Sequence, residues 1–172
     1  LVRAAELYQK AAAQDYAPAQ CNLAVCFLNG IGVEKDEARA VAWLQKAVGQ
    51  DFARARYILG CCLRDGDGVE ADQAGAAALF RQAAEDDYPP AVCELGLCYE
   101  MGAGLEEDKA QAVRWYTRAA ELGYAPGQCN LGYCYLTGIG VEEDDVQAVR
   151  WLTQAAEQDF PRAQRLLGCC CR

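Results

Sequence analysis

The sequence predicts an all-α fold, a solenoid of 36-residue helix-turn-helix repeats with about ten helices. The first observation behind this prediction is a fixed period. Small residues recur every 36 residues, at Ala19, Ala55, Ala91, Gly127 and Ala163. Aromatic residues recur at the same step, at Tyr16, Phe52, Tyr88, Tyr124 and Phe160. Self-similarity at a period of this length is typical of repeat proteins.

Each period carries two amphipathic helical patterns, which is the second observation. Apolar or small side chains recur three or four positions apart, and this spacing places them on one face of a helix. The first pattern contains Ala19, Leu23, Cys26 and Phe27, and the second contains Ala40, Trp43, Leu44 and Ala47. Each repeat therefore has a first and a second helix. The tryptophan column is assigned to the core; its members are Trp43, Trp115 and Trp151.

Glycine, aspartate and proline mark the ends of these predicted helices. A Gly-x-Gly loop follows each first helix, and its first glycine ends the helix because glycine accepts a positive φ. These glycines are Gly30, Gly66, Gly102 and Gly138. An aspartate precedes each second helix, where its carboxylate can accept from free backbone N–H groups as an N-cap. These residues are Asp36, Asp72, Asp108 and Asp144. Prolines mark the starts of first helices, at Pro18, Pro90, Pro126 and Pro161.

The period divides the chain into one repeat domain, residues 1–172, that opens and closes in mid-repeat. Residues 1–16 match a second helix and residues 161–172 match a first helix. Four full repeats lie between them, at 17–52, 53–88, 89–124 and 125–160. Neither end has the polar outer face of a capping repeat. We therefore expect a fragment of a longer array, or self-association through the end helices.

Composition and charge restrict the classes of partner. The chain is 53% hydrophobic and 24% charged, with a net charge of −9. No apolar run approaches the length needed to span a bilayer. The negative charge disfavours nucleic acid and anionic membranes, because phosphate groups would be repelled. The expected partner is another protein, cationic or of mixed charge.

Missing residue types argue against catalysis, and we predict no catalytic residue. The chain contains no His and no Ser, which excludes serine triads and Cys-His dyads. The acidic loops lack the alternating oxygen ligands of a calcium loop. The Gly-x-Gly loops follow helices and lack the remaining residues of a phosphate-binding loop.

The eleven cysteines fall mainly into columns at the repeat step. The column assigned to the core contains Cys26, Cys62, Cys98, Cys134 and Cys170. No Cys-x-x-Cys occurs, and cysteines five apart on one helix differ by about 140° in direction, which suits neither zinc nor a disulfide. We predict no metal, no cofactor and a reducing compartment, with the cytoplasm preferred.

The residues of the repeats resemble a known family. Segments 19–36 and 127–144 are similar to the Sel1-like repeat, a longer relative of the tetratricopeptide repeat. Leu95-Gly96 and Leu131-Gly132 are followed by a Gly-x-Gly loop and an Ala-x-x-Trp/Tyr-x-x-Ala-Ala segment, as in that family. The resemblance covers essentially the whole chain. It implies a right-handed α/α superhelix whose members mostly act as adaptors or scaffolds, and in which first helices line a concave groove.

A second row on each first helix is the predicted partner-binding groove. It lies about 200° around the helix from the Ala19 column. Its composition of Tyr, Leu, Val and Arg is typical of binding surfaces. The row comprises Cys21, Val25, Leu28, Tyr57, Cys61, Arg64, Cys93, Leu97, Glu100, Cys129, Tyr133, Leu136 and Arg165, with Asn22 and Asn130 beside it. The alternative for this row is packing between successive first helices.

Three functional interpretations follow. The first is a non-enzymatic scaffold that binds a peptide or helix of another protein along the groove. The second is an assembly module that stacks through its end helices. The third is a hydrolase, as the resemblance suggests through β-lactamase-like members, or a thiol enzyme; the missing His and Ser argue against both.

Overall fold

The computed structural model describes residues 2–170, and side chains up to Cys169. Leu1, Cys171 and Arg172 lie outside the described residues, and the core assignment of Cys170 concerns a side chain outside them. Within residues 2–170 the chain forms ten α-helices and no strand. They are α1 (Val2–Ala12), α2 (Ala17–Asn29), α3 (Glu37–Val48), α4 (Ala53–Asp65), α5 (Gln73–Glu85), α6 (Pro89–Met101), α7 (Lys109–Glu121), α8 (Ala125–Thr137), α9 (Asp145–Glu157) and α10 (Pro161–Cys170). The all-α, helical-repeat prediction is confirmed.

The helix boundaries follow the local signals in the sequence. The carboxylates of Asp36, Asp72, Asp108 and Asp144 accept a hydrogen bond of 2.9 Å from the backbone N–H three residues later. These four N-caps are therefore confirmed. Gly30, Gly66 and Gly138 follow α2, α4 and α8 in the left-handed region, as predicted for helix-ending glycines.

The helices form two compact units, residues 1–88 and 89–172. Unit 1 contains α1–α5 and unit 2 contains α6–α10. Within each unit, helices that follow one another in sequence pack against each other. The boundary between the units, after Tyr88, coincides with a predicted repeat boundary. Nothing in the sequence distinguished this repeat boundary from the others. The description of residues 1–172 as one domain stays a prediction.

A column of large side chains on the second helices fills the core. Leu44, Phe80, Tyr116 and Leu152 are fully buried. Phe80, Tyr116 and Leu152 each face a glycine on the preceding first helix. A Cβ added at Gly60 would lie 2.6 Å from Phe80 Cε1, and one added at Gly96 would lie 2.6 Å from Tyr116 Cε1. The close approach of the paired helices therefore depends on these glycines.

The tryptophan column lies at the edge of the core, which corrects the interior assignment. Trp43, Trp115 and Trp151 are half-buried. The cations of Lys46 and Arg150 lie 4.4 Å and 5.3 Å from the ring centroids of Trp43 and Trp151. One face of each of these two indoles therefore contacts a cation. The predicted burial of Cys26, Cys62, Cys98 and Cys134 is confirmed.

Buried amides link the turns between repeats. Gln20 is fully buried, its Nε2 donates to the carbonyl of Ala12, and its Oε1 accepts from Gln50 at 2.9 Å. Gln128 occupies the same position in unit 2, where its Oε1 accepts from Gln158 at 2.8 Å. Each glutamine thereby satisfies polar groups at the ends of two successive second helices.

Arg56 takes the place of this glutamine in the repeat 53–88. Its guanidinium pairs with Asp86 at 2.7 Å and with Asp51. Asp51 has a φ of 58°, a conformation that L-residues rarely adopt. In the repeat 89–124 the position is taken by Val92, which is fully buried. The column therefore uses an amide, an ion pair or an apolar side chain to fill one place in the fold.

Candidate functional site

The predicted groove row divides into buried and accessible positions. Four of its members are buried and cannot line an open groove: Cys21, Cys93, Cys129 and Asn130. Their exposure was wrongly predicted because α2 and α8 each pack against the second helix before them and the one after them. On α6, Cys93 Sγ accepts a hydrogen bond from Asn130 of the next first helix, α8. For these positions the packing alternative applies.

The other members remain accessible. Arg165 is exposed, and the rest are half-buried: Asn22, Val25, Leu28, Tyr57, Cys61, Arg64, Leu97, Glu100, Tyr133 and Leu136. We call these residues, in each unit separately, the first-helix face. Whether a partner binds them stays a prediction.

Two charged members of the row have partners within the chain. Arg64 pairs with the adjacent Asp65 at 2.8 Å, and this pairing lowers the pKa of the Asp65 carboxyl. Glu100 accepts a hydrogen bond from the buried hydroxyl of Tyr116. Burial and this carboxylate raise the pKa of Tyr116 far above its usual range. Glu100 therefore satisfies a core hydroxyl, which reduces what it can offer a partner.

Arg54 and Tyr88 lie beside two residues of the first-helix face in unit 1, Asn22 and Tyr57. Arg54 Nη1 donates to Asn22 Oδ1 at 2.9 Å. Burial raises the pKa of Tyr88, and the nearby Arg54 guanidinium offsets part of that rise. The ring of Tyr88 lies 5.5 Å from the ring of Tyr57, which in turn contacts Phe80. We call Asn22, Arg54, Tyr57 and Tyr88 the Asn22–Arg54 patch.

The bond between arginine and asparagine recurs in unit 2, where a different aromatic residue lies beside it. Arg162 Nη1 donates to Asn130 Oδ1 at 2.7 Å, and its guanidinium carbon lies 5.5 Å from the centroid of the Tyr133 ring. Asn130 Nδ2 donates to Cys93 Sγ at 3.5 Å. We call Asn130, Tyr133 and Arg162 the Asn130–Arg162 patch. Sequence reasoning missed Arg54 and Arg162, although both stand at the same repeat position.

A solvent-open cavity of about 550 Å³ lies elsewhere in unit 1. It is lined by residues of α1, of α3 and of the loop before α3, and by Phe27, whose ring lies 4.3 Å below the Arg39 guanidinium. None of the predicted groove residues lines this cavity.

In residues 2–170, no helix is long and apolar enough to cross a membrane. The described side chains also include no group of three or more Cys, Asp and Glu residues that could hold a metal ion.

Comparison with protein families identifies the repeats. The model described as "Sel1 repeat" matches residues 1–16, 17–52, 53–88, 89–124 and 125–160. The chain belongs to the Sel1 repeat family. The five matched Sel1 segments have the boundaries that the period of the sequence predicted, so the family resemblance is confirmed. Sel1 repeat arrays typically serve as protein-interaction modules.

Solved structures of Sel1 repeat proteins are similar to this chain. A Sel1 repeat protein from Oxalobacter formigenes is 32% identical with a TM-score of 0.90, over 95% of this chain and 65% of that one. The protective antigen c5321 of uropathogenic Escherichia coli is 35% identical with a TM-score of 0.87, over 97% of this chain and 36% of that one. The immunity protein Pa5087 of Pseudomonas aeruginosa is 28% identical with a TM-score of 0.67, over 92% of this chain and 59% of that one.

The chain spans less than two thirds of the length of each of these three structures. The comparison with curated protein sequences finds no match.

The thiols of these Sel1 repeats differ sharply in accessibility. Burial raises the pKa of Cys62 to about 11 and the pKa values of Cys93 and Cys134 to about 12. A raised pKa leaves little thiolate, the reactive form, at neutral pH. By contrast, Cys61 is half-buried and Cys169 is exposed.

Thiol modification therefore tests the burial pattern. With iodoacetamide at neutral pH and peptide mapping by mass spectrometry, we expect Cys169 to react first and Cys61 more slowly. Cys62, Cys93 and Cys134 should stay unmodified until the chain is unfolded in urea, which provides the positive control. Modification of Cys93 at the rate of Cys169 in the folded chain would contradict the described packing.

Proposed function

We propose that this chain is a non-enzymatic protein-interaction module that binds an extended or helical segment of a partner on the first-helix face. The observation that carries the proposal is the mixture of side chains on that face. Tyr57 and Val25 in unit 1, and Leu97, Tyr133 and Leu136 in unit 2, are apolar or aromatic and only half-buried. Aromatic side chains with part of their surface accessible are typical anchors of protein interfaces.

Polar groups beside these anchors support peptide binding. In the Asn22–Arg54 patch, Asn22 Oδ1 already accepts from Arg54, and this bond orients the amide. The Nδ2 group of Asn22 makes no hydrogen bond to the described residues and is therefore available to donate to a backbone carbonyl. A module that pairs such donors with apolar contacts can hold a segment in one register.

The chemistry of the chain favours this role over catalysis. It has no His and no Ser. Its net charge of −9 favours a partner that is cationic or of mixed charge. We also propose a reducing compartment, supported by the absence of cysteine from the second helices α1, α3, α5, α7 and α9, which leaves no pair to bridge a second helix to the first helix after it.

The experiment that tests this function is affinity capture with a purified chain. The tag-free chain is prepared under reducing conditions, and its mass is checked by light scattering. It is then coupled to resin and exposed to lysate of its source. A captured protein must next bind as a purified component in titration calorimetry. No saturable binding by any captured component would contradict the proposal.

Tyr133→Ala should weaken partner binding at least about tenfold, because truncating an aromatic hot-spot residue costs about 2 kcal/mol or more. Tyr135→Ala is the matched control, since this half-buried tyrosine lies on the same helix but on a different side. Calorimetry gives the affinities, and thermal melting monitors folding. Equal losses from both variants would place the interface on another surface.

A further inference from the structure

Arg54 and Arg162 form an unusual pair of cations in this acidic chain. They occupy the same repeat position, in repeats three periods apart. Each donates to an asparagine on the first helix one repeat earlier, at 2.9 Å for Arg54 and 2.7 Å for Arg162. The geometry therefore recurs independently in the two units.

Neither arginine is neutralised by the chain. The sequence has 25 acidic and 16 basic side chains, so carboxylates outnumber cations. Arg56, two residues from Arg54, does pair with Asp86 and Asp51. Within the described residues, Arg54 and Arg162 instead donate to a neutral amide and make no ion pair. A guanidinium has five N–H donors, so each arginine retains donors for an external acceptor.

The surroundings of both arginines are suited to an interface. Tyr88 lies near Arg54, and the Tyr133 ring lies 5.5 Å from the Arg162 guanidinium carbon. Burial raises the pKa of the Cys129 thiol, and the nearby cations of Arg162 and the exposed Arg165 offset part of that rise. Two cations and an aromatic ring thus lie close together in unit 2. A guanidinium held by an asparagine and flanked by aromatic surface loses less entropy on binding than a free side chain.

We propose that the Asn22–Arg54 and Asn130–Arg162 patches each bind an acidic side chain of the partner protein. This inference rests on the proposed interaction function and specifies the partner's chemistry. A carboxylate accepts two parallel N–H bonds from a guanidinium, and such charge-assisted pairs are among the stronger hydrogen bonds. The net charge of −9 disfavours carboxylates over much of the surface, so we expect acidic residues of the partner at these two places. The partner segment therefore has mixed charge, with Asp or Glu at defined positions.

A selection of peptides from a random library tests this inference directly. A phage-displayed library of random linear peptides is selected on the full 172-residue chain. We expect the recovered peptides to be enriched in Asp and Glu relative to the unselected library, despite the negative charge of the target. The tightest peptide is then synthesised, and its affinity is measured by fluorescence anisotropy. Arg54→Gln or Arg162→Gln should weaken binding about tenfold or more, since hydrogen bonds to charged groups contribute at the upper end of the usual range.

Arg114→Gln is the matched control, because Arg114 is exposed on the second helix α7 and its removal changes net charge equally. An equal loss in this variant would mean that only overall charge matters, and it would overturn the inference. Recovered peptides without acidic enrichment, unaffected by Arg54→Gln and Arg162→Gln, would also overturn it while leaving the interaction function intact. Failure to recover any binding peptide would count against the interaction function itself, and the inference would fall with it. Thermal melting of each variant excludes loss of binding through unfolding.

Discussion

Gly68→Ala and Gly140→Ala are expected to destabilise the protein by about 4 kcal/mol or more, among the largest effects of single substitutions. A Cβ added at Gly68 would lie 2.3 Å from the carbonyl carbon of Glu37, and one at Gly140 would lie 2.2 Å from the carbonyl oxygen of Lys109. These obstacles are backbone atoms, which cannot rotate away. The loop of one repeat rests directly on the start of the preceding second helix.

Gly66→Ala is the control that measures the cost of the positive φ without the steric clash. Gly66 has a φ of 80° and Gly68 a φ of 71°, so alanine is strained at both. At Gly66, however, the nearest neighbour of an added Cβ is 3.6 Å away, an ordinary contact. Gly66→Ala should therefore cost only about 1–2 kcal/mol. Urea unfolding followed by circular dichroism measures both variants, and equal losses would show that the contact with Glu37 is unimportant.

Leu23→Ala and Leu131→Ala should each lower the free energy of unfolding by about 2–5 kcal/mol. Both leucines are 1% exposed, so truncation removes apolar contacts and leaves a cavity. Leu23 belongs to the core of unit 1, and Leu131 lies in unit 2. Because stability in repeat arrays is nearly a sum of local terms, each substitution should first affect its own unit.

Hydrogen exchange monitored by mass spectrometry can resolve this locality. Leu23→Ala should accelerate exchange in α2 and α3 more than in α8 and α9, and Leu131→Ala should do the reverse. The half-buried Leu28 gives a control on the same helix as Leu23, and Leu28→Ala should cost less. Uniform acceleration along the whole chain would instead indicate a single cooperative transition.

The sequence predicted the features that depend on local chemistry. Asp36 and Gly30 define helix ends through bonds to residues within one turn, so their roles follow from residue type and position. The repeat boundaries follow from the period and match the Sel1 segments.

Features that depend on contacts between repeats were not predicted. Cys21 is buried because neighbouring helices pack on both sides of α2, and a helical projection of one element carries no such information. The bond between Arg54 and Asn22 joins residues 32 positions apart, and the bond from Tyr116 to Glu100 turns a groove residue towards the core. The division after Tyr88 likewise has no distinct local signal.

The column occupied by Gln20, Arg56 and Val92 restricts how such an array can grow by gene duplication. A copy of the repeat 17–52 carries both Gln20 and its partner Gln50, and Gln20 also donates to the Ala12 carbonyl and to Asp15 in the preceding turn. A glutamine fits without that aspartate, since the turn before Gln128 has Gly123 at that place and Gln128 donates to Ala120 and Gln154. A copy of the repeat 53–88 is more demanding, because the charged Arg56 pairs with an aspartate of the preceding turn. It could not be inserted after the repeat 89–124, whose turn has Gly123 at that place, without leaving the guanidinium short of one carboxylate. The order of repeats is therefore itself subject to selection.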